Sequence, residues 1–200
     1  MNMALPFDFL DSMAWTVAAS AILLGVLAFR LPRKASSEST EEKDRSLRKG
    51  LGAAIGASGL YLFITGLAIS FMWPFAMSGG AYNILFGGIA TLGGLLLLAV
   101  SAALLLNAGL SAVSYFAVTV GVYAVVDAFA MMNYKLTSNP LLAALGYLSF
   151  AATAFLSVPA THTDNKWLRW AFGIFAFLFA VAWLYQAANF TWGHLKPPAP

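Results

Sequence analysis

The chain has 200 residues, of which 60% are apolar and only 10% are charged, and its mean hydropathy is +0.79. Soluble domains average roughly 45–50% apolar and about 25% charged residues, so this chain has too few charges to cover a surface that faces water. The composition argues against a soluble enzyme, a nucleic-acid-binding protein and a disordered protein, and it indicates an integral membrane protein.

Six apolar segments are long enough to cross a bilayer, which requires about 20 mostly apolar residues in a helix. Pro, Asn or Gly residues bound most of them, and no proline lies in the middle of a span. The sequence therefore predicts an all-α bundle of six transmembrane helices that forms one domain over residues 1–200. In chain order, the predicted spans are 13–29, 51–72, 82–106, 110–132, 141–158 (ended by Pro159) and 167–188.

The distribution of lysine and arginine predicts the orientation of these spans. Seven basic residues lie in the 30–49 loop, and Lys166 and Arg169 lie where the loop between the fifth and sixth spans meets the sixth. Lys135 and Lys196 are the only basic residues predicted on the other side. We therefore expect both termini to face outward, the 30–49 loop to be cytoplasmic, and the chain to lie in the plasma (inner) membrane.

The 30–49 loop also contains a signal for the start of a helix. Ser39 is followed three residues later by Glu42, which is the spacing of a capping box. The second helix can therefore begin near residue 40, before it enters the membrane. A solvated loop without a helix fits the same residues, and the sequence leaves both interpretations open.

Small residues along the second and third spans predict close contacts between helices, because helices in lipid associate where their backbones can approach. Such contacts can lie within one chain or between copies of it. Glycines can also leave room for a narrow pore. The glycines at these positions are Gly52, Gly56, Gly87, Gly88, Gly93 and Gly94.

Asp127 is the one ionisable residue predicted away from the ends of a span, and such residues are functional candidates because a charge in the membrane is costly. Polar and aromatic residues of other spans are predicted at the same outer level. They outline a candidate vestibule in which Asp127 supplies a charge or a proton; the alternative is a structural hydrogen bond from Asp127. The predicted vestibule comprises Trp73, Tyr82, Asn83, Tyr123, Asp127, Asn133, Tyr134, Gln186, Asn189 and Trp192.

No cofactor, metal site or catalytic constellation is predicted. The chain has no cysteine, and its two histidines, His162 and His194, lie outside the apolar segments. Neither a thiolate metal site nor a haem held between two membrane histidines can be built from such a chain alone. No nucleophile with a matching base, and no phosphate-binding glycine loop, stands out.

Several motifs beyond residue 50 are shared with one known family. The matching segments are 59–66 (GLYLFITG) with Trp73-Pro74, 82–87 (YNILFG), 134–137 (YKLT) with 139–141 (NPL), and 159–161 (PAT). Together they resemble domain-of-unknown-function family 981, a group of multi-span membrane proteins from archaea and bacteria. The turn at 75–81 is longer than the family's usual one, and Ser138-Asn139 stands where the family often has an acidic residue. The resemblance implies the membrane class and no particular activity.

Three functions remain open, and the favoured one is a channel or facilitator for a small solute that works as a homo-oligomer. Six spans in about 200 residues also describe the urea and amide channel family and the acetate and succinate transporter family, although fold does not fix function. The second possibility is a non-catalytic subunit of a larger membrane complex. The third is an intramembrane enzyme, or a quinone or lipid binder, that uses Asp127 with Tyr123 or Tyr134. The expected partners are the lipid bilayer and other membrane subunits, without nucleic acid.

Overall fold

The computed structural model of the chain describes residues 9–30, 38–75 and 80–195. These residues form six helices and, within those ranges, no strand, which confirms the predicted all-α, six-helix architecture. All six helices are long and apolar enough to cross a membrane, so this is a multi-pass membrane protein. In chain order, the helices are α1 (Phe9–Arg30), α2 (Glu38–Met72), α3 (Ile89–Leu105, preceded by a π-helical turn over Asn83–Gly88), α4 (Ser111–Tyr134), α5 (Pro140–His162) and α6 (Lys166–His194).

Two helix ends decide expectations that the sequence raised. Helix α2 begins at Glu38, so the helical interpretation of the second half of the charged loop is correct, whereas the side chain of Ser39 lies outside the described part. Helix α5 continues past Pro159 to His162, so the expectation that this proline ends the helix is wrong. A proline in the last turn removes only one backbone donor, and the Pro159 carbonyl still accepts the amide of Thr163 at 3.2 Å.

The six helices form a closed ring. Each helix packs against its neighbours in the chain, and α1 also packs against α6. The contacts are extensive between α2 and α3, between α4 and α5, and between α1 and α6, but they are slight between α3 and α4. Helices on opposite sides of the ring meet little or not at all in the described ranges, so the axis of the bundle is left for a cavity.

Glycines set the distance between α2 and α3. A Cβ atom at Gly94 would lie 2.7 Å from the carbonyl oxygen of Gly59, and one at Gly56 would lie 2.5 Å from the hydroxyl of Ser101. That hydroxyl donates a 2.7 Å hydrogen bond to the carbonyl of Gly52. Two helices approach this closely only where side chains are absent, and here the close approach lies within one chain.

The other predicted packing glycines have three different surroundings. Gly87 faces Ser70 of α2, so it also belongs to the contact between α2 and the third span. Gly88 faces the hydroxyl of Tyr123 on α4. Gly93 is different, because a Cβ atom there would meet no heavy atom within 4 Å. One glycine of the predicted packing set therefore borders open space.

The outward faces of the helices are strongly apolar. Phe71 is 83% exposed, Phe129 69% and Val181 64%, and each lies inside a spanning helix. Exposed apolar side chains on a spanning helix are suited to contact with acyl chains, since lipid is as apolar as leucine. The ring therefore presents a surface that would contact lipid.

The adjacent pair Gly93 and Gly94 provides a test of the packing. We expect Gly94→Ala to lower the unfolding temperature in detergent, because its methyl group would overlap the backbone of α2; overpacking of this kind typically costs about 1–3 kcal/mol. Gly93→Ala should leave the unfolding temperature unchanged or raise it, since its methyl group meets open space and alanine favours a helix by about 1 kcal/mol. Equal effects of the two variants would contradict the packing described.

Candidate functional site

A cavity of about 500 Å³ occupies the axis of the ring, and residues of all six helices line it. On α1 its lining runs from Leu10 to Ala28, which are 18 residues and therefore ~27 Å apart along the helix. The hydrocarbon core of a bilayer is about 30 Å thick. The length of the lining along α1 is therefore close to the thickness of the hydrocarbon core.

The wall of this cavity is mostly apolar. Leucine, alanine, valine and phenylalanine side chains dominate it, and Gly93 leaves a gap where a side chain would otherwise project. Four hydroxyl side chains of the wall donate hydrogen bonds of 2.6–2.8 Å to carbonyls of their own helices, so their protons are not available to a solute. They are Ser20, Ser114, Thr153 and Ser157.

Two guanidinium side chains give the cavity one charged end, which we call the basic end. Arg48 reaches it from α2, and Arg169 reaches it from the first turn of α6. The short α3–α4 connection and the last turn of α5, including Thr161, border the same end. No acidic residue lines the cavity in the part of the chain that the structure describes. The cavity therefore combines a long apolar wall with a positively charged end.

Asn83, a predicted vestibule residue, fastens the connection between α2 and the third span. Its side chain is 1% exposed, and its Oδ1 accepts the amide of Phe75 at 3.0 Å. Its Nδ2 donates to the carbonyls of Phe75 at 2.6 Å and Gly80 at 3.2 Å. Every polar atom of this side chain has a partner in the connection, so its role is structural.

Tyrosines hold the π-helical turn at the end of the bundle opposite the basic end. The hydroxyl of Tyr123 donates to the carbonyl of Ile84 at 3.4 Å, and that of Tyr147 donates to the carbonyl of Leu85 at 3.1 Å. The hydroxyl of Tyr82 donates to the carbonyl of Leu136. A π-helical turn is rare and often marks a functional position. Here two of its carbonyls are occupied by tyrosine hydroxyls.

Asp127 lies beside these tyrosines and is buried, with 6% of its surface exposed. Tyr123 lies one turn before it on α4, and Tyr147 lies near it on α5. Its Oδ2 atom has no hydrogen-bond partner in the described ranges. The carboxyl group therefore belongs to the interior of the α4–α5 side of the ring and does not line the central cavity.

The remaining residues of the predicted vestibule do not converge on the central cavity. Trp73, Asn133, Tyr134, Asn189 and Trp192 are exposed. Gln186 lines a separate small cavity of about 50 Å³ beside Tyr147. None of the ten predicted residues lines the central cavity, and no group of three or more His, Cys, Asp or Glu side chains within the described ranges could hold a metal ion.

Sequence reasoning missed Arg48 and Arg169 as site residues, because it used them as orientation signals. A spacing signal was nevertheless present. Arg48 precedes Ile55, Leu62 and Ile69 at intervals of seven residues, and these three are buried. Residues seven apart share one face of a helix, so Arg48 lies on the inward face of α2.

Comparison with known proteins identifies the family. A family profile described as "Protein of unknown function (DUF981)" matches residues 3–197. The chain belongs to this family. The suspected resemblance is confirmed, and it covers almost the whole DUF981 chain instead of starting near residue 50. No curated protein and no solved structure gives a significant match.

The hydrogen bonds of Asn83 to the connection between α2 and the third span can be tested by removing its side-chain amide. We expect Asn83→Ala to lower the unfolding temperature of this DUF981 protein, because it leaves the amide and carbonyl of Phe75 without their partner; an unsatisfied buried polar group costs about 1–3 kcal/mol. Asn133→Ala is the control, because Asn133 is exposed. An unchanged unfolding temperature for Asn83→Ala would contradict a structural role.

Asp127 can be tested by its uncharged isostere. We expect Asp127→Asn to keep the folded yield and the unfolding temperature or to raise them, because a charged oxygen without a partner is costly inside a membrane. The same purified variant is then compared with the wild type for solute flux per folded molecule. A loss of folded yield would show that the second carboxyl oxygen is needed for folding.

Proposed function

We propose that this DUF981 protein is a facilitator for a small solute in the plasma (inner) membrane, and that the solute occupies the central cavity of each chain. The observation that carries the proposal is the cavity lining, which is contributed by all six helices and extends over ~27 Å along α1. A ring of helices around an unfilled axis is the arrangement that a pathway through a membrane protein requires.

The chemistry of the wall supports a solute with an apolar body. The hydroxyl protons of Ser20, Thr153 and Ser157 are donated within the helices, so these side chains offer a solute acceptors only. A strongly hydrated solute such as urea would therefore lose more hydrogen bonds to water than it gains from this wall. Only two charged side chains of the described residues, Arg48 and Arg169, line the cavity. This fits passage down a gradient, without catalysis and without coupling to an ion.

Homo-oligomer formation is part of the proposal. Each chain contains a complete ring, so an oligomer would place several such cavities side by side, with the apolar outer faces as contact surfaces. Native mass measurement after gentle extraction tests this. Copies of one chain would support it, a single chain would contradict the oligomer, and unrelated chains would favour the alternative of a non-catalytic subunit.

The pathway is tested by filling the cavity from Gly93. We expect Gly93→Phe to reduce solute entry into liposomes at least tenfold, because its ring would project into the axis of the cavity, where a Cβ atom meets no neighbour. Leu95→Phe is the matched control, since Leu95 lies on the same helix but is 42% exposed on the outer surface. Entry of short-chain carboxylic acids, alcohols and urea is followed by light scattering.

The result that supports the proposal is a flux that Gly93→Phe removes and Leu95→Phe retains, with equal folded protein per liposome. Wild-type liposomes that admit every tested solute no faster than protein-free liposomes would contradict it. A flux that survives Gly93→Phe would also contradict it, because the solute would then pass elsewhere.

A further inference from the structure

We infer that the occupant of the cavity is an anionic amphiphile, with a single hydrocarbon chain along the axis and a carboxylate or phosphate head at Arg48 and Arg169. This inference rests on the proposed function and names the class of its solute. Three features of the cavity carry it: its shape, the sign of its charge and the placement of its hydrogen-bond donors.

The shape fits a single chain. The cavity is elongated, because its volume of about 500 Å³ extends over ~27 Å along α1. An extended alkyl chain fits such a space along its axis. The apolar wall would hold the chain by the hydrophobic effect.

The charge at the basic end fits an anion. Guanidinium groups bind carboxylates and phosphates through paired hydrogen bonds, and they do so best where water is scarce. Arg48 and Arg169 reach the cavity from two different helices, so a head group between them can be contacted from two sides. The described lining contains no acidic residue that would repel an anion.

The hydrogen-bond donors of the cavity distinguish where a polar head group and where an apolar chain would lie. Beyond the basic end, the hydroxyls of Ser20, Thr153 and Ser157 donate within their own helices. The indole of Trp183 and the ring of Phe179 contribute aromatic surface to the wall. A molecule that is polar along its whole length would meet few partners there, whereas a molecule with a single polar end needs partners only at the basic end.

The inference is tested by ligand binding to the purified full-length protein in amphipol. The probes are a fluorescent long-chain fatty acid, its uncharged methyl ester, and an unlabelled long-chain alkyl phosphate as a competitor. We expect the acid to bind at least tenfold more tightly than the ester and the alkyl phosphate to displace it, because hydrogen bonds between ionised groups are stronger than those of a neutral ester.

Three variants locate the head group. Arg48→Gln and Arg169→Gln should each weaken binding of the acid about tenfold and leave binding of the ester unchanged. Arg45→Gln is the matched control, since Arg45 is exposed on α2 and does not line the cavity. Gly93→Phe should abolish binding of both probes.

The outcomes separate this inference from the proposed function. The anionic head would be overturned if acid and ester bound equally and if Arg48→Gln and Arg169→Gln changed neither affinity. If Gly93→Phe then removed this binding, the cavity would remain the binding site. Binding of either probe that survives Gly93→Phe, or no binding of either probe, would overturn the amphiphile itself. Displacement of the acid by alkyl phosphate but not by inorganic phosphate would place the source of the head group in a lipid-like molecule.

Discussion

Closure of the helix ring, where α1 meets α6, is the constraint on which the rest of this structure depends. The side chains of Asp11, Trp15 and Thr191 form a hydrogen-bonded chain at this contact: Thr191 donates to Asp11 at 2.5 Å and Trp15 donates to Thr191 at 2.9 Å. Deeper in the membrane, Gly25 admits the ring of Phe177, and Gly173 admits that of Phe29. Without this contact, the axis of the bundle would be a groove filled by lipid.

Ring closure also explains why the axis is not filled by the protein itself. Six helices around one axis cannot all reach the centre with ordinary side chains, and the inward positions carry small residues such as Ala14, Ala21 and Ala117. Protein interiors normally pack as densely as organic crystals. An unfilled apolar cavity of this size therefore suggests that another molecule occupies it. In a bilayer, a molecule with a hydrocarbon chain is the solute at highest local concentration.

The sequence predicted the coarse fold because bilayer thickness and backbone hydrogen bonding leave few alternatives to six helices. It could not predict which glycine contacts which helix. Gly93 and Gly94 are adjacent, yet one borders the cavity and the other touches α2, because successive residues of a helix point about 100° apart. Asn83 was recognisable as polar and placed near an end of the bundle, but its partners lie in a loop whose path the sequence does not specify.

The positions of the charged groups give the two ends of the bundle different roles. Asp127 is the ionisable residue in the middle of the apolar sequence, and it lies off the axis beside Tyr123 and Tyr147. An acidic group on the cavity wall would repel an anionic head strongly, since charges interact more in a low-dielectric surrounding than in water. Because the acid is kept off the wall and Arg48 and Arg169 lie on it, the cavity we propose as the solute site is basic at one end and apolar along the rest of its length. Two of the basic residues from which the sequence predicts the orientation of the chain would then also select the solute that enters the cavity.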